Sequence, residues 1–287
     1  MTKFLGVIGH PLKRSLSPAF QQAALDHLQL DIIYQAWPTP DDGLALRVQG
    51  MRAPSVLGAN VTIPHKEAVL PLLDEHDPLV VKVGAVNTIV NREGRLHAYN
   101  TDVGGFLRAL REDAAFDPAG QRAVIAGAGG AARAVSVALC EAGAAGITVI
   151  NRTRERAQRL VADVRAIAAH TALGIMPDEP GAWAAALPKS ALLVNCTSVG
   201  SAGSAEEGES PVPVEVIHPD LLVYDLIYRP AVTPLMAAAA ERGARVLGGL
   251  PMLVYQGAES FRIWTGREAP VDIMFTAARK TLAEEAA

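Results

Sequence analysis

Two groups of residues have the types and spacing to do chemistry. The first is Gly127-Ala128-Gly129-Gly130-Ala131-Ala132, a G-x-G-x-x-A turn. Its first glycine permits a tight turn, and its second lets backbone amides approach a pyrophosphate at a helix N-terminus. Ala132 in the third slot keeps helix and strand close. About 20 residues on, where a carboxylate would receive a ribose 2′-hydroxyl, stand Asn151, Arg152, Thr153, Arg154 and Arg156. A guanidinium can grip a 2′-phosphate with two hydrogen bonds. Cations at a helix N-terminus oppose its dipole, so a ligand is the better reason for them than a solvated surface. The cluster points to NADP(H) rather than NAD(H).

The second group is dispersed. Ser15 and Ser17 flank a helix start at Pro18, with Ser17 read as N-cap and Pro18 as the first helical residue. Ser15 has no such explanation, and two hydroxyls beside an open N-terminus can hold a small carboxylate. Asn60, Thr62 and Lys66 gather at the carboxyl end of a strand, where open α/β sheets place ligands. Lys66 falls in a first helical turn, where its charge is disfavoured, so it is a surface lysine or a functional cation. Asp102 opens another helix and is a cap or a partner for chemistry.

The elements that must position these residues follow from the pattern. Ala123–Ala126 and Ile147–Ile150 are short apolar runs suited to buried parallel strands, with an alanine-rich helix between them. Before this unit, residues 4–8, 32–37 and 56–62 read as strands, with helices at 18–28 and 41–51. Residues 84–91 and 95–100 form a hairpin across Arg92-Glu93-Gly94. After it come a helix to about Ala169, strands at 191–196, 221–226 and 244–247, and helices at 233–242, 252–264 and from Ile273. Ser201 to Pro213, rich in Gly, Ser, Glu and Pro, reads as a mobile loop.

With 287 residues, half of them apolar, the chain is long for one domain and natural for two. A net charge of −4 gives no sign of nucleic-acid binding. Cys140 and Cys196, the two cysteines, read as small core residues in a reducing compartment, and neither has a metal partner nearby in sequence. The first strand is too short in apolar run for a signal peptide, and no stretch would span a bilayer. A cytoplasmic protein without a metal is expected.

Several motifs are together more specific than the glycine turn: Ser-Leu-Ser-Pro at 15–18, Asn-Val-Thr-Ile-Pro-His-Lys at 60–66, Gly-Ala-Val-Asn-Thr at 84–88 and Asn-Thr-Asp at 100–102. Gly127–Ala134, Asn-Arg-Thr at 151–153, Asn-Cys-Thr-Ser at 195–198, Asp-Leu-Ile-Tyr at 225–228 and Met252–Ala258 extend the set. In order, over nearly the whole chain, they resemble the shikimate dehydrogenase family. The resemblance implies an α/β chain of two domains with the active site in the cleft between them. Residues 1–102 with 249–287 would bind substrate, and 103–248 would form a Rossmann-like, doubly wound NADP-binding domain.

It implies reversible reduction of 3-dehydroshikimate to shikimate by NADPH, a step toward chorismate and the aromatic amino acids. Lys66 and Asp102 would form the catalytic pair. Ser15 and Ser17 would hold the carboxylate, and Asn60, Thr62, Asn87 and Gln256 the ring hydroxyls, with Tyr228 also at the substrate. Gly127, Gly129, Gly130 and Ala131 would cradle the pyrophosphate, and Asn151, Arg152, Thr153 and Arg156 the 2′-phosphate. Thr197, Gly249 and Met252 would lie near the nicotinamide half. The expected partners are this small substrate and cofactor, not nucleic acid or membrane, with a homodimer left open. Three positions depart from the family: Gln21-Gln22 where His-Asn is common, Pro251 for a usual glycine, and Arg229 for an uncharged residue. A quinate/shikimate dehydrogenase and a non-catalytic sensor of shikimate or NADP are the competing readings.

Overall fold

The computed structural model describes residues 1–12, 15–168 and 170–286. The chain divides into two compact units, Met1–Gly105 with Val254–Ala287, and Phe106–Leu253.

The first unit is built on a mixed sheet of six strands: β1 (Lys3–Gly9), β2 (Ile32–Pro38), β3 (Val56–Val61), β4 (Glu75–His76), β5 (Thr88–Arg92) and β6 (Arg95–Tyr99). Their order is β2-β1-β3-β5-β6-β4. β1 is parallel to β2 and β3, while β5 runs antiparallel to β3 and β6. The β5–β6 turn places Glu93 and Gly94 at φ 55° and 87°, the pair of left-handed residues that a twist-matched two-residue hairpin requires. Helices α1 (Ser17–His27), α2 (Leu44–Gly50), α3 (His65–Ala68) and α4 (Pro78–Val83) follow strands or loops of this sheet. α5 (Asp102–Glu112) begins in it. Ile8, Ala59, Val61, Val69, Val80, Ile89 and Leu96 pack as one buried core.

α1 is fastened by the two glutamines that depart from the family. Gln22 Oε1 accepts from the Tyr34 N–H at 2.8 Å, tying α1 to β2. Gln21 Nε2 donates to the Gly257 carbonyl at 2.8 Å. Both clamp the helix to its neighbours. The helix itself starts one residue earlier than the sequence predicts. Leu16 holds the cap position, Ser17 lies inside the first turn, and no side chain caps the end. Ser15 Oγ instead accepts a long 3.4 Å bond from the Ser17 N–H.

The second unit is an all-parallel sheet: β7 (Arg122–Ala126), β8 (Gly146–Asn151), β9 (Ala172–Pro177), β10 (Leu192–Asn195), β11 (Leu222–Asp225) and β12 (Arg245–Leu247). Its order is β12-β11-β10-β7-β8-β9. Numbered from β7, that is the doubly wound order 3-2-1-4-5-6, with its topological switch between β7 and β10. β10 and β11 are buried along their whole length, as strands covered by helices on both faces must be. The helices are α6 (Gly130–Glu141), α7 (Arg154–Arg165), α8 (Pro180–Ala186) and α9 (Pro234–Glu241). α10 (Leu250–Thr265) starts in this unit and continues into the first, where α11 (Val271–Ala286) follows. The expected helix to Ala169 stops at Arg165; Ala169 lies outside the described residues. Among the described residues, no helix is long and apolar enough to cross a membrane.

Candidate active site

In the first unit, the end of β3 leads through Thr62 into the single turn of α3, which carries Lys66. Its ammonium reaches Asp102 Oδ2 at 2.6 Å. The aspartate is not a cap for α5: its own N–H donates to Asn100 Oδ1 at 3.1 Å, and its second oxygen accepts from Asn87 Nδ2 at 2.9 Å. The Lys66 side chain is 23% exposed and that of Asp102 8%. A half-buried ion pair has lost much of its hydration, and this loss exceeds the roughly 0.2–1 kcal/mol that exposed pairs contribute. The arrangement is better explained by chemistry than by stability: a cation held in place by a buried carboxylate, with access to solvent.

Asn87 is the hub. Its Nδ2 lies 2.8 Å from Thr101 Oγ1 and 3.1 Å from Gln256 Oε1, while its Oδ1 accepts from the Thr101 N–H at 2.8 Å. Lys66, Asn87, Asp102 and Gln256 therefore form one connected group on β-sheet ends, α3, α5 and α10. Asn60 is buried and differently engaged. Its Oδ1 accepts from the Tyr34 hydroxyl at 2.7 Å, and its Nδ2 faces the Asn87 carbonyl, Thr88 Oγ1 and Ser260 Oγ at 3.0–3.2 Å. Burial pushes the Tyr34 hydroxyl well above its ordinary pKa, with a hydrogen bond to Ser17 working against the shift. Ser15 and Thr62 are half-buried, and Ser17 is buried. Tyr34, Thr88, Thr101 and Ser260 support this cluster, yet their sequence context gave them no role. The spacing Gln256–Ser260, one helical turn, was a usable signal for the last.

In the second unit, β7 delivers the glycine turn. Gly127 has φ 104°, and a Cβ there would stand 3.1 Å from Thr197 Cγ2. At Gly129 and Gly130 a Cβ would meet nothing within 4 Å, and no side chain caps α6. The start of this twelve-residue helix thus has free space beside two glycines and no side-chain cap, which suits a pyrophosphate site. A cavity of about 460 Å³ lies here, lined by Gly127, Gly129, Asn151, Arg152, Arg156 and Thr197 among others. Gly130, Ala131, Thr153, Gly249 and Met252 are not among its lining residues. Gly249 gives its carbonyl to the Leu253 N–H at 3.1 Å and so starts α10. A Cβ at Gly249 would collide with the Leu226 carbonyl oxygen. Tyr228, expected at the substrate, belongs to this second unit, with the Arg229 guanidinium 6.0 Å from its ring centre.

Thr197 is set by a buried relay that the sequence did not reveal. Asp225, fully buried, accepts from Thr233 Oγ1 at 2.6 Å, Asn195 Nδ2 at 3.0 Å and the Ile227 N–H at 3.1 Å. Asn195 Oδ1 in turn accepts from the Thr197 N–H and hydroxyl. Burial raises the Asp225 carboxyl pKa against these three donors. Burial, with that carboxylate nearby, also drives the Cys196 thiol far up. Cys196 and Cys140 are half-buried, not the core residues expected. Among the described residues, no group of three or more His, Cys, Asp or Glu could hold a metal.

Comparison with known proteins bears on both units. The shikimate dehydrogenase substrate binding domain matches residues 7–89, the shikimate / quinate 5-dehydrogenase family residues 110–176, and the shikimate 5′-dehydrogenase C-terminal domain residues 249–279. The shikimate dehydrogenase (NADP(+)) of Moorella thermoacetica is 44% identical over 281 residues, covering 98% of this chain and 94% of its own. The chain belongs to the shikimate dehydrogenase family. Within that family, the Thermus thermophilus shikimate 5-dehydrogenase, solved in complex with NADP(H) and shikimate, superposes with a TM-score of 0.87. It is 40% identical, over 98% of this chain and 100% of its own. A quinate dehydrogenase from Corynebacterium glutamicum in complex with NAD gives 0.89 at 29% identity, over 97% and 99%.

Proposed function

We propose that the chain is an NADP-dependent shikimate dehydrogenase, reducing 3-dehydroshikimate reversibly to shikimate. The Lys66–Asp102 pair, 2.6 Å apart and joined to Asn87, carries the reading. The cleft of the second unit fits the cofactor: the glycine turn at Gly127 and Gly129 for the pyrophosphate, and Arg152 with Arg156 for a 2′-phosphate. NADPH, when bound, supplies the hydride.

Reduction of a ketone puts negative charge on its oxygen, and that oxygen needs one proton. Lys66 is the group that supplies it. Its ammonium stabilises the growing charge, then passes a proton from Nζ to the oxygen and is left as the neutral amine. Asp102 fixes Nζ in position throughout. The partial exposure of Lys66 lets solvent restore the proton. In the oxidative direction the same amine accepts the hydroxyl proton. Ser15 and Ser17 hold the distant carboxylate, and Gln256 with Asn87 holds ring hydroxyls, so the carbonyl meets the lysine in one orientation. Asn60 acts at one remove, because its amide is already engaged by Tyr34, Thr88 and Ser260.

Absorbance at the nicotinamide band, with shikimate and quinate each tested against NADP+ and NAD+, decides among the family's activities. Turnover of shikimate with NADP+ is expected to dominate. Quinate with NAD+ as the best combination would overturn the assignment, and no turnover with any combination would leave a binding protein.

A further inference from the structure

The guanidinium assigned to the 2′-phosphate already has a carboxylate partner. Arg152 Nη1 lies 2.9 Å from Glu206 Oε1. Glu206 stands in the loop that joins β10 to β11, and its backbone is fixed: its carbonyl accepts from the Gly200 N–H at 2.9 Å and the Glu209 N–H at 3.1 Å. The same loop is tied down by the Ala202 N–H, which donates to the Arg229 carbonyl at 2.8 Å. Of the two partners, Glu206 is the more enclosed, its side chain 30% exposed against 76% for Arg152. Both line the cavity that begins at the glycine turn, and Glu209 and Asp178 add two further carboxylates to its walls.

A cleft for a phosphorylated dinucleotide would gain nothing from an acidic wall unless the acid had a task. A phosphate monoester carries about −1.5 to −2 charges at neutral pH. It must share the Arg152 guanidinium with the Glu206 carboxylate or displace it, and in either case Glu206 stays nearby as a like charge. An unphosphorylated ribose does not need Arg152 and bears no such cost. We propose that Glu206 is a specificity-determining residue of the cofactor cleft, an internal competitor for Arg152 that weakens the hold on the 2′-phosphate. Its removal strengthens discrimination for NADP(H) and slows cofactor release, since contacts of this kind act mostly on dissociation. The inference rests on reading this cleft as the nucleotide site.

Calorimetric titration of the full chain, wild type and Glu206→Gln, with NADP+ and with NAD+ separates the two ideas. The variant is expected to bind NADP+ about three- to tenfold more tightly, a gain in keeping with losing a surface ion pair and a like-charge contact. NAD+ affinity is expected to stay within about twofold, and the NADP+ gain to shrink toward about 1 M salt, where exposed charges are screened. An unchanged NADP+ affinity overturns the proposal. A weakened one also overturns it, and would mean that Glu206 holds Arg152 ready for the phosphate. Equal gains for both nucleotides would point to the general charge of the cleft and equally refute it. In all three cases binding by the wild type leaves the cofactor site standing; binding of neither nucleotide by the wild type removes both readings.

Discussion

At the scale of single residues, the sequence pointed to Lys66 and Asp102 but not to what holds them. Lys66 in a first helical turn and Asp102 at a helix start each had an ordinary explanation, a surface side chain and a cap. Their 2.6 Å approach, with Asn100 bonding the helix start instead, is what supports the proposed chemistry over these. The pair is separated by 36 residues of chain, and no local pattern encodes its meeting. Tyr34, Asn195 and Asp225 escaped for a similar reason, since buried polar groups are satisfied by partners far away in sequence. One residue-scale effect follows from charge alone. Arg52, bonded to the Asp74 carboxylate, together with the Leu96 N–H, holds that carboxyl down at about 2 from an ordinary 3.8. The folded pKa is below the unfolded one, so the ionised form stabilises the fold above about pH 4, and that contribution is lost as pH falls toward about 2. Asp74→Asn is expected to flatten the acid limb of a stability profile over this interval. An unaltered limb would show that the Arg52 contact contributes nothing.

At the scale of elements, legibility tracked periodicity. β7, β8, β10 and β11 are short buried runs between turn signals, and each was predicted to within a residue or two at either end. β9 and α8 were not: Ala172–Pro177 is short, half-buried and without alternation, and Gly174 and Pro177 break its apolar run as a turn would. The close approach of α5 to α10 was equally hidden, although it places Asp102 and Gln256 around the same asparagine. Adjacent glycines of α5 make the point testable. A Cβ at Gly105 would sit 2.8 Å from both the Cβ and the backbone N of Gln256, whereas one at Gly104 meets nothing within 4 Å. Alanine in an exposed helix position gains up to about 1 kcal/mol over glycine, while overpacking costs about 1–3 kcal/mol. Gly104→Ala should therefore raise the urea midpoint. Gly105→Ala should lower it and raise the KM for shikimate through Gln256. Equal midpoints for the two variants would mean that α10 yields freely at this contact.

At the scale of the whole molecule, the chain's order of motifs was its most informative property, and the family models match it in three stretches, 7–89, 110–176 and 249–279. The 3-2-1-4-5-6 order of the second sheet could not be read from spacing, because strand neighbours are chosen by crossovers rather than by local sequence. Turnover belongs to this scale too. The Lys66–Asp102 pair lies in the first unit and the glycine turn in the second, so the proposed reaction is tested on the full chain. The most direct measurement is turnover of Lys66→Met with shikimate and NADP+, beside the affinity of the same variant for each ligand. kcat is expected to fall by about 10²–10⁴, the usual contribution of a positioned acid–base group, while KM and both affinities change little. Turnover at the wild-type rate would remove Lys66 from the reaction and contradict the account.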